Sequence, residues 1–474
     1  MISLASANRS LDDWFSPILV KELRQGMRGK AFVISFLLLQ VFLVMLVLGN
    51  VAAEQNRSAL NDQASFFWII IGVALLGLMP LRGLSAISQE VKRNTMETVL
   101  LTRLTPWRVV FGKWSALFAQ SVLFVVAVLP YVVLRYFIGG TDVVGDFLQL
   151  CFFLWLSGML LAAAIAASAM LNLVIRVIVV LALLFFGGNA DDFLSASSLP
   201  VEVWKTVAWL VLLGFFGIAL LFELAASSIA APSENHALRR RLLALSFFIL
   251  SLLLAWLTDA TAGFMGALPL MVLIAVCYYE LSEKARLVPR LVLSASRFGW
   301  LGRMASGFFL PGWSSALLFS ILALPFATMI YALMNPNSGG PLGVLSLPFL
   351  ICAVLGSALA PILICHLIWK SMKQVFLMVV LYNIAIMGVA SLLQGFAELT
   401  QTKINYLIAL FPSIPVLYSL RDTGLAEFLP SCLIVNVAVV ICQIFILFVA
   451  SRPYFRGLRE LFRQARVDAP TPAA

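Results

Sequence analysis

Ala31–Asn50 reads AFVISFLLLQVFLVMLVLGN, twenty residues without a formal charge. That is the length a helix needs to cross the roughly 30 Å hydrocarbon layer of a bilayer. Comparable stretches recur at 65–87, 114–134, 147–170, 173–188, 206–229, 242–258, 261–279, 314–334, 343–366, 374–396 and 429–450. The whole chain of 474 residues is 62% hydrophobic and only 11% charged. Soluble domains carry about 25% charged residues, so a water-exposed surface is excluded, as are intrinsic disorder and a secreted disulfide scaffold. The composition and the twelve stretches together predict an all-α, polytopic integral membrane protein with about 12 transmembrane helices. A further apolar stretch, Ile404–Tyr418, carries Pro412 and Pro415 and reads as re-entrant or interfacial.

Charge placement tests the count. Cytoplasmic loops of membrane proteins collect Lys and Arg. With the N-terminus inside, every Lys and Arg falls on the inner side except Arg57, Arg135, Lys205, Lys403 and Arg421. A count wrong by one span would scramble this alternation. Both termini are therefore expected to be cytoplasmic, in a cell (inner or plasma) membrane. The net charge of +10 is then positive-inside bias plus contact with anionic headgroups, and implies no nucleic acid. Val51-Ala52-Ala53 is small enough for a signal cleavage site, but the first span follows a 30-residue segment with its own helical pattern, and no cleaved signal is expected.

That segment, 1–30, reads as a loose tail followed by an amphipathic helix opened by Ser16-Pro17. Lys21, Arg24, Gln25 and Arg28 share one face, and Leu19, Leu23 and Met27 another. Lys21, Glu22, Arg24 and Arg28 thus mark a helix lying in the inner interface. The inner loop Gln89–Leu104, QEVKRNTMETVLLTRL, is too charged for lipid and rich in helix formers. At the far end, Arg452, Arg456, Arg459, Arg463 and Arg466 recur at helical spacing, so 451–474 reads as a basic cytoplasmic helix with a tail. Gly158, Ala162 and Ala166, and likewise Gly356 and Ala360, have the small-residue spacing that lets helices pack closely.

Much familiar chemistry is missing from the sequence. It contains no GxxxxGK[ST] phosphate loop, no HExxH and no GxSxG. Only His236 and His366 are present, so a His-based metal site is not expected. The six cysteines lie in apolar runs and read as small buried hydrophobes. Glu223 is the main intramembrane carboxylate; its place near the inner end of its span favours a structural or gating residue over a proton carrier. Asn383 and Asn436, near mid-span, read as interhelical hydrogen-bonding groups. A multi-span body with little sign of an ion relay and no energy-harvesting motif needs power from a partner.

Two segments resemble the type-2 ABC (ATP-binding cassette) exporter permeases. Pro17-Ile18-Leu19-Val20-Lys21-Glu22-Leu23-Arg24 is similar to the connecting helix before their first span. Glu90, then Thr95-Met96-Glu97-Thr98-Val99-Leu100-Leu101-Thr102, then Gly112-Lys113, is similar to their segment between spans two and three. Asn94 stands where the family has Gly, and Arg103-Leu104-Thr105 delays the usual Pro to Pro106. The resemblance implies that 31–230 is a six-span permease core and 89–104 a coupling helix. It implies that Glu90, Thr95, Glu97, Thr98, Leu100 and Thr102 face a separate ATP-binding cassette ATPase subunit. ATP and Mg2+ would be bound by that subunit, not by this chain, which would itself be no enzyme. Residues 189–205, with Asp191 and Asp192, would form an external re-entrant or gate element, and Glu223 a gate. Residues 231–450 would be a second six-span bundle: either a diverged second half or an addition that leaves the permease to pair with a second copy. The principal rival is an ion-coupled secondary transporter, whose helices would break at Pro325 or Pro361; an intramembrane enzyme is a weaker one.

Overall fold

The computed structural model describes residues 17–52, 66–88, 105–139, 143–169, 203–230, 234–257, 262–284, 287–296, 299–334, 346–365, 381–386, 388–389, 392 and 429–467. Among these residues all regular structure is helical. The expected coupling segment 89–104, with all six of its candidate contact residues, lies outside them. So do 173–188, Asp191 and Asp192, Ile404–Tyr418 and most of 374–396. Eight of the described helices are long and apolar enough to cross a membrane, and Leu268–Leu281 and Ile351–Ile364 are shorter apolar ones. The protein is thus a multi-pass helical membrane protein. Its chain forms two compact units, Met1–Ala230 and Ala231–Ala474.

The first unit contains α1 (Pro17–Met27), α2 (Lys30–Ala52), α3 (Phe66–Gly83), α4 (Pro106–Gly139), α5 (Val143–Ala169) and α6 (Val203–Ile229). α5 is the central helix and α2 the peripheral one. Val33, Leu37, Phe42, Met45 and Leu48 of α2 all stand exposed. A soluble monomer could not keep such a stripe in water, but lipid covers it at no cost. Gly158, Ala162 and Ala166 are buried; the last two pack on Phe222, Ala225 and Ala226 of α6. The small-residue stripe is therefore a packing seam. α4 begins at Pro106, eight residues before the apolar stretch that marks it in the sequence, because Trp107, Val109 and Val110 are buried or half-buried against the same cluster.

α3 contains a π-helical turn, Val73–Leu78, with a physical cause. The Met79 N–H bonds to Ala74 O in the i to i−5 register. The next such donor should be residue 80, but Pro80 has no N–H. The orphaned Leu75 carbonyl instead accepts the Ser157 hydroxyl of α5 at 2.9 Å.

The second unit contains α7 (His236–Leu257), α8 (Ala262–Leu281), α9 (Pro289–Ser296), α10 (Gly299–Phe309), α11 (Trp313–Met334), α12 (Ser346–Ile364) and α13 (Leu429–Val467). Pro325 and Pro361 sit within continuous helices. α13 merges two features that the sequence separates: the last apolar stretch and the basic segment after it form one helix running through Pro453. The cysteines divide. Cys277, Cys352 and Cys365 are buried, whereas Cys151 and Cys442 are exposed, on faces that lipid can cover. Asn436 is buried, yet its Oδ1 has no hydrogen-bond partner.

Ser157→Ala strands the Leu75 carbonyl and should lower stability in mild detergent by about 1 kcal/mol. Adding Pro80→Ala supplies the missing donor and should make the serine change nearly neutral. Equal losses in both backgrounds would show that Pro80 is not the cause of the π turn.

Candidate functional site

The first unit gathers its polar groups at two ends of α4. At one end, Lys113 Nζ donates to Glu22 Oε1 of α1 at 3.1 Å. The Lys113 side chain is only 4% exposed and that of Glu22 26%, so the ammonium is shielded while the carboxylate still reaches the surface. At the other end, Arg135 lies 3.3 Å from Asp146 of α5 and over the Phe67 ring at 4.3 Å. Lys113 and Arg135 are twenty-two residues apart, about 33 Å along an α-helix. That separation matches the hydrocarbon thickness of a bilayer, so the two ion pairs bracket it.

Around Lys113 the contacts form a frame. Arg82 of α3 donates to Gln120 Oε1 of α4 at 2.5 Å and to Gly26 O of α1 at 3.3 Å. Gly26 is near the elbow between α1 and α2, and the Gln120 amide lies so close that a Cβ there would displace it. The elbow is thereby fixed to both α3 and α4.

The same frame holds the residues that flank 89–104 in the chain. On its N-terminal side, Ser168 Oγ of α5 accepts the Ile87 and Ser88 backbone N–H groups at 2.9 and 3.0 Å. On its C-terminal side, Trp107 Nε1 donates to Glu223 Oε2 of α6 at 2.5 Å. Trp107 and Trp114 both meet the Phe222 ring edge-on, at 5.4 and 5.5 Å. Glu223 is fully buried and its carboxylate is engaged.

Of the four candidate interface residues, Glu22 is turned inward to Lys113, while Lys21, Arg24 and Arg28 are exposed. The structure therefore joins two residues from separate motif segments, Glu22 and Lys113, and divides α1 into a docked side and a free basic side. Glu22 is thus a packing contact between α1 and α4.

The second unit holds a polar cluster that the sequence reading missed. Arg240 Nε lies 3.3 Å from Glu280 Oε1, and its Nη2 lies 2.5 Å from Glu283 Oε1. Arg241 Nε bonds to Glu280 Oε2, its Nη1 to the Phe308 carbonyl, and its Nη2 to Ser315 Oγ at 3.4 Å. Arg241 and Glu280 are fully buried. Two guanidiniums facing two carboxylates make the cluster neutral, which is the condition for burying it. It ties α7, α8, α10 and α11 together. The Glu283 carbonyl also accepts the Trp313 N–H at 3.1 Å, at the start of α11. Beside it Asn235 caps α7, accepting the Leu238 N–H at 3.2 Å and donating to Phe309 O at 3.0 Å.

These charges read from sequence as ordinary inner-loop residues. The available signal was topological: α7 and α8 are an antiparallel hairpin, so 240–241 and 280–283 must meet at one end. Among the described residues, no group of three or more His, Cys, Asp or Glu could hold a metal ion. No family model, curated protein or solved structure matches this chain.

Arg241→Met leaves Glu280 without one of its two buried cations and should cost about 3–5 kcal/mol, read as loss of folded protein in mild detergent. Glu280→Gln in the same chain should recover part of that loss. A single variant as stable as the parent would mean that the cluster is hydrated and not structural.

Proposed function

We propose that this chain is the membrane permease subunit of an ATP-driven transporter of the type-2 ABC class, working as an exporter. In this reading it spans the membrane twelve times with both termini cytoplasmic. Residues 31–230 form the permease core, and 231–450 act as a second half. ATP and Mg2+ bind to a separate ATP-binding cassette ATPase subunit. That subunit seats the segment 89–104 through Glu90, Thr95, Glu97, Thr98, Leu100 and Thr102.

One observation carries the reading: the contact between Glu22 and Lys113. The two motif segments behind the resemblance are far apart in sequence and touch in the fold. The anchoring of the residues that flank 89–104 adds support. Ile87 and Ser88 are held to α5 by Ser168, and Trp107 to α6 by Glu223. A partner that moved this segment would move the helices and not merely a loop. Packed helices and hydrogen-bonded contacts of this kind can carry coupling between a surface and the membrane interior.

The alternative, an ion-coupled secondary transporter, needs a mid-membrane charge free to take up and release its ion. Glu223 is the sequence's main candidate, and it is committed to Trp107.

Gentle purification of the tagged chain from its native membranes should bring down a stoichiometric companion that carries a GxxxxGK[ST] loop. Glu97→Arg should abolish the companion's coupled ATP hydrolysis while leaving membrane insertion intact. A chain that purifies alone in several mild detergents, with pH- or sodium-dependent uptake that is lost in Glu223→Gln, would establish the secondary transporter instead.

A further inference from the structure

The second unit contains a groove of about 800 Å3 between α10, the start of α11 and the C-terminal half of α13. Its volume is in the range of clefts that hold small molecules. One wall carries Arg452, Arg456, Arg459 and Arg463. Their spacing puts all four on one face of α13, and all four are exposed. None makes an ion pair among the described residues. The acidic residue nearest to them in sequence, Glu460, is not part of the groove wall. The opposite wall is apolar, with Met304, Phe308 and Leu318, and Phe448 continues the α13 wall one turn before Arg452.

The groove's depth follows from the helix that builds it. The apolar part of α13, 429–450, is about 33 Å long at 1.5 Å per residue, enough to cross the hydrocarbon layer. Arg452 therefore enters where the headgroups begin. Leu293, Trp300 and Met304 of α9 and α10 are exposed beside it, as amphipathic helices at an interface are.

We infer that this groove binds one anionic phospholipid. The headgroup phosphate sits on the arginine wall, and the acyl chains run along Phe448 and Leu318 toward the membrane interior. Four unpaired cations beside an apolar wall complement an anionic amphiphile. They complement neither a zwitterionic lipid, whose charge they half repel, nor an apolar peptide. The inference rests on the membrane assignment alone and does not depend on the permease reading.

The test uses the full chain in mild detergent, offered phosphatidylglycerol and phosphatidylcholine in equal amounts, with retained lipid read by native mass spectrometry. The parent should keep a single phosphatidylglycerol in preference to phosphatidylcholine. Arg456→Gln with Arg459→Gln should weaken that preference by roughly 30-fold, the share of two arginines near an anionic group. Gly307→Leu keeps every charge but fills the groove, where a new Cβ meets only Leu318 at 3.9 Å, and should also release the lipid. Arg24→Gln with Arg28→Gln in the first unit should change nothing.

Equal retention of the two lipids would overturn the proposal. So would a preference untouched by Gly307→Leu, which would mean surface charge without a bound lipid. Displacement by millimolar inorganic phosphate alone would reassign the groove to a free anion.

Discussion

A charge carried into hydrocarbon must bring its partner with it, and this constraint organises the protein. On α4 the partners are spaced by the bilayer itself. Lys113 meets Glu22 at one end and Arg135 meets Asp146 at the other, about 33 Å away. Between them the helix meets its neighbours mainly through aromatic and aliphatic side chains, such as Phe124 against Phe32 and Phe36. The amphipathic α1 is not simply afloat on headgroups. It is latched to α4 by one ion pair and held at its elbow by Arg82. The anchored residues that flank 89–104 belong to the same frame.

The second unit meets the same constraint by another route. Its cations and carboxylates form one neutral cluster at the end of the α7–α8 hairpin and are fully buried there, except for Glu283. Such a cluster adds little net stability over an apolar core, but it penalises any register in which a charge loses its partner. Arg452, Arg456, Arg459 and Arg463 of α13 are the contrast: they are exposed and make no ion pair among the described residues.

The class of the fold was legible in the sequence because lipid imposes a simple rule: long uncharged runs must be helices. The extents of individual helices were less legible. Apolar composition marks the lipid-facing run, but α4 continues past it because Trp107, Val109 and Val110 pack on neighbouring helices, and α13 because Leu458 packs on Val292 and Leu310 while its arginine side stays exposed. The helix-packing role of Gly158, Ala162 and Ala166 was readable from spacing alone. The bond between Trp107 and Glu223 was not, since it joins residues 116 apart and no local pattern encodes it. The cluster at Glu280 failed for a different reason. Each residue was counted singly as loop charge, and only pairing the two ends of a hairpin would have exposed it. The exposed faces of Cys151 and Cys442 escaped because an apolar run does not say which of its sides meets lipid.

The frame that flanks 89–104 depends on the latch of α1 to α4 through Glu22 and Lys113. A charge-exchange cycle tests it most directly, comparing the unfolding midpoint of Glu22→Lys, Lys113→Glu and the doubly exchanged chain in mild detergent. The latch predicts that each single exchange loses at least the 1.5–3 kcal/mol or so of a charge-assisted bond, and that the double exchange regains most of it. Single exchanges that leave the midpoint unchanged, or a double exchange no better than the sum of the two, would contradict it.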